Sequence, residues 1–239
     1  MIHSVLGSRY GITGVLGSAR QREAAPSGGW WLTGGIPAVN CIGAYQAKGV
    51  ASLAASYSNL ANPGTYDAAL GVAPAWDDVN GWKFDGIDDY LNTGITPEHD
   101  QTWSMIIRHS NWVRVQNFST LAGCGDGAGH GFLLDERDAV APFVGREVYF
   151  FNGGYSLIVE DPYTAGVWCV AGSDGYIDGV DVVDIINNTS DWQGEVYIAA
   201  QNNSGNPYTF SDIDIQALAI YDIDIAAYVA GLTTAMAAL

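Results

Sequence analysis

Short apolar runs separated by glycine-rich turns dominate the sequence from Pro37 onward, and this alternation restricts the fold more than any other feature. Turn residues fall between the runs at roughly the 8–12-residue spacing of a β-sandwich. Two of the turns contain Asp-Gly, which favours tight turns because glycine accepts a positive φ. The predicted strands are 81–84, 103–107, 131–134, 147–151, 168–171, 176–177, 180–186, 195–199 and 213–221.

Composition supports a mostly β chain of sandwich type. The 239 residues include 30 Gly, 13 Tyr and 8 Trp, and this mixture suits short strands better than helices. The alanine-rich tail 225–239 is predicted to be a terminal helix, with a second short helix at 51–60. No repeat of solenoid or propeller length occurs.

Charge excludes some partners and divides the chain. A formal net charge of −17 argues against nucleic-acid binding, and no apolar run is long enough to span a membrane. Residues 1–36 carry three arginines against Glu23, a net +2, whereas 37–239 carry six basic and 25 acidic residues. We expect 1–36 to be an extended, partner-docking arm that uses Arg9, Tyr10, Arg20 and Arg22, with a disordered tail as the alternative.

The cysteines and the N-terminus bear on where the chain folds. Cys41, Cys124 and Cys169 are far apart and form no CxxC motif, and Cys169 lies in an apolar run typical of a buried thiol. A disulfide between two of the three stays open. Residues 1–14 lack the basic and apolar regions of a secretory signal, which favours synthesis in a cytoplasm.

Residues 82–91 contain an Asp-Gly turn between aromatic residues, 168–180 contain Trp168 and the Asp178-Gly179 turn, and 213–221 form the last apolar run. These three motifs resemble laminin-G-like, concanavalin A-like jelly-roll domains. Residues 82–91 (WKFDGIDDYL) are similar to the family's FDGxDDY signature, 168–180 to its WxxV…YxDGxxV hairpin, and 213–221 to its closing strand, in the family's order. The matching signature residues are Trp82, Phe84, Asp85, Gly86, Asp88, Asp89, Tyr90, Trp168, Tyr176, Asp178 and Gly179. The resemblance implies a two-sheet antiparallel jelly-roll sandwich with a short C-terminal helix, in which these acidic residues serve mainly as turn and scaffold residues.

A looser resemblance concerns function. Residues 29–31, 41–49 and 60–67 are similar to the leader of such domains in tailed-phage structural proteins, in which 41–46 would be the first strand. This implies a non-enzymatic virion protein, either capsid decoration or tail-associated, that is made in the host cytoplasm and binds other virion subunits and further copies of itself. The alternative is a lectin-like module that binds host-surface or environmental glycans.

Binding sites are weakly indicated. Trp112 and Tyr155, each near asparagine, are the candidate glycan-binding aromatics, and packing explains them equally well. Some laminin-G-like domains hold calcium, so Asp126 and Asp135, which flank the glycine-rich stretch 123–131, are the candidate ligands if a cofactor is present at all.

No catalytic motif is recognisable. The paired carboxylates of jelly-roll glycosidases, typically ExDxxE, are absent, as are GxSxG, P-loop and HExxH motifs. Asp212 with Asp214, and Asp222 with Asp224, are the nearest carboxylate pairs. A glycoside hydrolase is therefore the third and least favoured interpretation.

Overall fold

The protein was obtained as a computed structural model, which describes residues 29–98, 102–113, 118–125, 130–138, 146–160, 164–186 and 194–239. The described residues form strands β1 (Cys41–Gln46), β2 (Ala69–Val72), β3 (Ala75–Asp77), β4 (Gly81–Asp85), β5 (Tyr90–Asn92), β6 (Ser104–Val113), β7 (Phe118–Gly125), β8 (Gly131–Asp138), β9 (Arg146–Asn152), β10 (Gly154–Glu160), β11 (Gly166–Ala171), β12 (Asp174–Ile177), β13 (Val180–Asp184), β14 (Tyr197–Ile198), β15 (Gln201–Asn203), β16 (Asn206–Tyr208) and β17 (Asp212–Tyr221). Helices are α1 (Leu53–Ser56) and α2 (Val229–Ala237), with 3₁₀ turns at Trp30–Leu32, Ala38–Asn40 and Ala226–Tyr228.

The strands form two sheets packed face to face, which confirms the predicted all-β sandwich. Sheet A has the order β13-β12-β11-β6-β17-β4-β3, and β1 also pairs with β17. Sheet B has the order β10-β9-β8-β7-β14-β5-β2, with β15 on β7 and β16 on β15. The described pairings are antiparallel, apart from the parallel pair of β15 and β7.

Strand β17 organises sheet A because it pairs along its whole length. One edge lies against β6, and the other is shared by β4 in its first half and β1 in its second. Its residues alternate between the two sides of the sheet: Leu218 and Ile220 face the space between the sheets, whereas Ala219 and Tyr221 face outward. Period-two alternation with both faces apolar indicates a strand that is covered on both sides.

Large aromatic side chains fill the space between the sheets. Trp82, Trp168 and Phe150 are fully buried there, together with branched aliphatic residues of both sheets. The signature residues Trp82, Phe84 and Trp168 are therefore core residues, whereas Tyr176 of the signature packs on the outer side of sheet A.

A second apolar layer covers the outer side of sheet A. Helix α2 contributes Val229, Leu232 and Met236 to this layer, and the turn Trp30–Leu32 packs against it. The Tyr221 hydroxyl donates to the carbonyl of Trp31 at 2.9 Å. Residues 29–36, predicted to belong to the arm, thus pack on the sandwich, while 1–28 lie outside the described residues.

The two Asp-Gly turns follow the sequence prediction. Asp178 and Gly179 both have positive φ (49° and 81°) and join β12 to β13 as a two-residue hairpin turn. In the first turn the Asp85 carboxylate accepts from the Ile87 amide at 2.8 Å, and the Asp89 carboxylate accepts from the Asp85 amide at 3.3 Å. These carboxylates satisfy backbone groups of the turn, an arrangement that is compatible with the scaffold role that the resemblance implies.

Several predicted boundaries shift. The first strand (41–46) is observed as predicted, whereas the strand predicted at 195–199 shortens to Tyr197–Ile198 because Ala199 takes a positive φ of 62° and ends it. Cys41, Cys124 and Cys169 are all buried free thiols, so the disulfide alternative is not realised.

In the described part of the chain, no helix reaches the length and apolarity needed to cross a membrane.

Candidate functional site

The outer face of sheet B carries a group of polar and aromatic side chains where β5 lies beside β14. Asn92 is the direct cross-strand partner of Tyr197, and Leu91 that of Ile198. Leu91 and Ile198 point into the core between the sheets. Because side chains alternate along a strand, Asn92 and Tyr197 project together from the opposite, outer face.

Three aromatic rings meet at this position and are called the aromatic patch: Tyr90, Tyr197 and Phe210. The ring centroids of Tyr90 and Tyr197 are 4.9 Å apart, and those of Tyr90 and Phe210 are 6.2 Å apart. Tyr197 is 7% exposed, whereas Tyr90 and Phe210 are half-buried. Tyr90 therefore contacts both other rings, and Tyr90 and Phe210 keep part of their surface open to a ligand.

Gly71 on the neighbouring edge strand determines where the Tyr90 ring lies. A Cβ atom added to Gly71 would come within 2.1 Å of the Tyr90 ring. The ring thus lies across the backbone of β2, over a position that has no side chain. Gly71 therefore leaves room for the Tyr90 ring beside Tyr197 and Phe210, and the ring stays half-buried.

A polar pair, Asn92 and Glu195, adjoins the aromatic patch. The Asn92 side-chain amide donates from Nδ2 to Glu195 Oε2 at 2.5 Å, and its Oδ1 accepts from the Gly94 amide at 2.8 Å. Burial raises the pKa of the Tyr197 hydroxyl, with further contributions from Tyr90 and then Glu195. The Glu195 carboxylate is therefore within electrostatic reach of the patch.

Tyr66 extends the aromatic surface on the side of Gly94. It is 45% exposed, and a Cβ added to Gly94 would lie 3.6 Å from its ring. The Tyr45 hydroxyl donates to the Tyr66 carbonyl at 2.6 Å and helps to hold that residue at a positive φ of 59°. An exposed aromatic ring thus flanks the polar pair.

Trp112, one of the two predicted glycan-binding aromatics, is not at the surface. It is 1% exposed and packs against His109 and Trp168, with ring centroids 5.4 and 5.1 Å away. Asn111 takes a positive φ of 52° and interrupts the alternation along β6, so Trp112 joins Met105 and Ile107 in the core and has no free ring face for a sugar. Tyr155 lies on β10 opposite Phe151; its side chain is outside the described part of the structure.

The predicted calcium pair is not brought together within the described residues. Asp126 lies outside them, and Asp135 is 1% exposed on β8, where Thr120 Oγ1 donates to its carboxylate at 3.3 Å. Among the described residues, two other carboxylate groups lie close enough to share an ion: Asp85, Asp88 and Asp89, and Asp174, Asp181 and Asp184. These groups lie in or beside the two Asp-Gly turns. In the group of Asp85, Asp88 and Asp89, the hydrogen bonds of Asp85 and Asp89 to turn amides explain why the carboxylates lie close together.

The proposed arm residues Arg9, Tyr10, Arg20 and Arg22 all lie outside the described residues, so their predicted docking role stays a prediction.

Asp212 and Asp214, one of the carboxylate pairs considered from the sequence, make different contacts, and the Asp214 carboxylate is held by neighbouring side chains. Asn111 Nδ2 donates to Asp214 Oδ2 at 2.6 Å. Lys83 on β4 is the cross-strand partner of Asp214. Asp212 is the cross-strand partner of Asp85 instead.

Sequence reasoning missed most of this site. Tyr90 belongs to the fold signature, and no motif includes the other members of the site, which are Asn92, Glu195, Tyr197 and Phe210. The available signal was weak: Tyr90 and Asn92 are two residues apart on one strand and so share a face. Their partners are about 100 residues away, and only the sheet register brings them together.

Comparison with known proteins yields similarity in three-dimensional structure alone. No family model and no curated protein matches the chain. A Trypanosoma rangeli sialidase in complex with sialic acid is similar at 14% identity and a TM-score of 0.54, over 84% of this chain and 33% of that one. The same sialidase in complex with 2,3-difluorosialic acid gives 13% identity and a TM-score of 0.55, over 90% and 35%.

The chain spans about one third of the length of these sialidase chains. At such low identity the similarity shows a common sandwich fold. It is coarsely consistent with the concanavalin A-like resemblance, and nothing in the comparison supports the phage relationship.

The predicted virion role and the exclusion of enzymes are both wrong against this comparison. The solved structures reported above are sialidases, which are enzymes, and both were obtained with sugar ligands. The carbohydrate-related alternative agrees better with these neighbours than the virion interpretation does.

Proposed function

We propose that this chain is a carbohydrate-binding β-sandwich that holds glycans on the outer face of sheet B. The observation that carries the proposal is the juxtaposition of the aromatic patch with the Asn92–Glu195 pair on one sheet face. The two sialidase structures reported above, which have a similar sandwich, were obtained with sugar ligands, and this agrees with the proposal.

The chemistry of the patch suits a sugar ring. A pyranose presents an apolar C–H face and a rim of hydroxyl groups, so it needs a flat aromatic surface next to hydrogen-bonding groups. Tyr90 and Phe210 supply partly open aromatic surface. Asn92 has a second amide hydrogen besides the one given to Glu195, and the Glu195 carboxylate has a second oxygen that can accept from a hydroxyl.

The position of the patch leaves it accessible. Helix α2 and the turn Trp30–Leu32 cover the outer side of sheet A, on the opposite side of the sandwich. On sheet B the buried outer-face cluster of Leu133, Tyr149 and Phe151 lies toward β8 and β9, beyond the patch. Tyr90 and Phe210 therefore keep exposed surface that the described packing does not use.

The proposal is tested by glycan-array screening followed by calorimetric titration with the strongest glycan. Tyr90→Ala and Phe210→Ala should each lower its affinity about tenfold or more, because each removes one stacking surface. Tyr90→Phe retains the ring and should lower affinity much less. Val180→Ala is the matched control, since Val180 is an exposed apolar residue (63%) on β13 of the other sheet.

Two results would count against the proposal. One is a folded wild-type protein that binds no glycan on the array. The other is glycan binding that survives Tyr90→Ala and Phe210→Ala with unchanged affinity, which would place the site elsewhere.

A second candidate function, glycoside hydrolysis, is favoured by one observation. Asp212, two residues after Phe210, is the cross-strand partner of Asp85, and burial, followed by the charges of Asp214 and Asp85, raises the pKa of Asp212. A carboxyl group with a raised pKa beside a second carboxylate is an arrangement that glycosidases use. Turnover of the bound glycan that disappears in Asp212→Asn would establish it, and intact glycan after prolonged incubation would exclude it.

A further inference from the structure

Negative charge lies directly at the proposed glycan site. Glu195 is half-buried beside Tyr197, with Oε2 held by Asn92 Nδ2 at 2.5 Å. This hydrogen bond fixes the carboxylate next to the patch instead of allowing it to turn away into solvent. A ligand that stacks on Tyr90 and Phe210 therefore meets a fixed negative charge at the edge of its ring.

Further carboxylates lie close to the patch residues along the chain. Asp88 and Asp89 immediately precede Tyr90, and Asp212 follows Phe210 by two residues. Asp85 is the cross-strand partner of Asp212 and belongs to the same group of carboxylates as Asp88 and Asp89. Both half-exposed rings are thus bordered by acidic residues along the chain.

The cations whose side chains are described lie elsewhere. Lys83 on β4 forms an ion pair with Asp77 at 2.6 Å, and Arg108 on β6 donates to the carbonyl of Met236 at the end of α2. Lys48 follows β1. All three belong to the sheet A side, so within the described side chains no cation is available beside the patch to bind an acidic sugar.

From this charge arrangement we propose that the site selects glycans without acidic groups and discriminates against sialic acids, uronic acids and sulfated sugars. The inference rests on the proposed glycan-binding function and specifies its ligand class. It predicts a preference different from that suggested by the sialic acid bound in a solved neighbour. The physical reason is that a ligand carboxylate at the patch would lie near the Glu195 carboxylate, with no compensating cation among the described side chains.

The test uses pairs of oligosaccharides that differ in one charge: glucose against glucuronic acid units, and galactose against galacturonic acid units, with a sialylated glycan as a third acidic probe. Affinities are measured by calorimetry at low salt, about 0.02 M, and at about 0.5 M, where screening is strong. The neutral member of a pair should bind about tenfold more tightly at low salt, and high salt should reduce this ratio severalfold.

Two variants separate the local charge from the overall charge of the protein. Glu195→Gln keeps the shape of the side chain and the oxygen that accepts from Asn92. It should reduce the ratio of the affinities for neutral and acidic glycans severalfold. Asp181→Asn removes an exposed charge on β13 of sheet A and should leave the ratio unchanged. If Asp181→Asn narrows the ratio equally, net charge and not the site is responsible, and the proposal is overturned.

The outcomes distinguish this inference from the function on which it rests. Acidic glycans that bind as tightly as their neutral counterparts, with binding abolished in Tyr90→Ala, would overturn the charge selection and leave the glycan-binding function standing. Absence of binding to every neutral and acidic glycan would overturn both.

Discussion

The buried histidine of the core gives the sharpest prediction about stability. His109 is 2% exposed on β6, and its ring contacts those of Trp112 and Trp168 edge to face, with centroids 5.4 and 5.3 Å away. Neither ring nitrogen has a hydrogen-bond partner among the described residues. Burial without a partner disfavours the charged imidazolium, and it lowers the pKa of His109 from 6.5 to about 3.

This shift determines how stability depends on pH. The folded state holds His109 neutral, whereas the unfolded chain protonates it below about pH 6.5, so acid favours unfolding between the two pKa values. At about 1.36 kcal/mol per pKa unit, the full shift amounts to about 5 kcal/mol, lost as the pH falls from 6.5 to about 3. At about pH 4.5 the loss from this group is about 3 kcal/mol.

Carboxyl groups act in the opposite direction over part of the same range. Burial is the first cause that raises the pKa of Asp89, Asp174, Asp212 and Asp214 in the folded state. These groups take up protons more readily when folded, so acid stabilises the protein through them. The contribution of His109 must therefore be isolated by difference.

The experiment is urea unfolding followed by tryptophan fluorescence from pH 7.5 to about 4, on the wild type, His109→Phe and His109→Gln. Both variants lack the titrating group, so their free energy of unfolding should fall less with acid than that of the wild type, by about 3 kcal/mol at about pH 4.5. Ile107→Val, at a buried position two residues away on β6, controls for destabilisation without titration and should follow the wild-type pH dependence. Parallel curves for the wild type and both His109 variants would refute the reasoning.

Four further outcomes are expected. Gly71→Ala should push the Tyr90 ring off β2, because the new Cβ would lie 2.1 Å from it, and should lower glycan affinity severalfold in calorimetry with little change in melting temperature, since β2 is an exposed edge strand. Trp112→Ala should destabilise the fold by about 3–5 kcal/mol in chemical unfolding, and a loss of binding without a loss of stability would contradict its place in the core. Asn59→Asp should cost about 2 kcal/mol or more, because its buried amide donates to the carbonyls of Ile42 and Thr65 at 2.9 Å each and a carboxylate cannot; an unchanged midpoint would be inconsistent with this network. Gly179→Ala, at a φ of 81°, should lower stability by about 1–2 kcal/mol in thermal unfolding, whereas a stabilised variant would exclude the predicted turn strain.

The fold could be predicted from the sequence because its signals are local. Asp178 and Gly179 form a two-residue turn whose chemistry is visible in the dipeptide, and the apolar run 213–221 predicts the strand that is observed there. The burial of the Cys169 thiol is likewise predicted by the apolar residues on both sides of it. Each of these inferences depends on residues only a few positions apart.

The candidate site could not be predicted in the same way. Trp112 next to asparagine suggested an exposed ring, yet its strand turns it into the space between the sheets. The half-exposed rings are instead Tyr90 and Phe210, and Gly71 has a role only because β2 pairs with β5. Which aromatic ring faces solvent is decided by strand register, since a shift of one residue exchanges the two faces.

The sequence by itself thus determined the class of fold, its turns and its acidic character, because local pattern and composition carry that information. Only the tertiary structure decided which residues form a surface. Asn92 lies opposite Tyr197, and Glu195 reaches Asn92 across 103 positions of sequence, through sheet pairing that no local pattern encodes. The proposed function depends on this long-range register, and for that reason it could be stated only after the sheets were known.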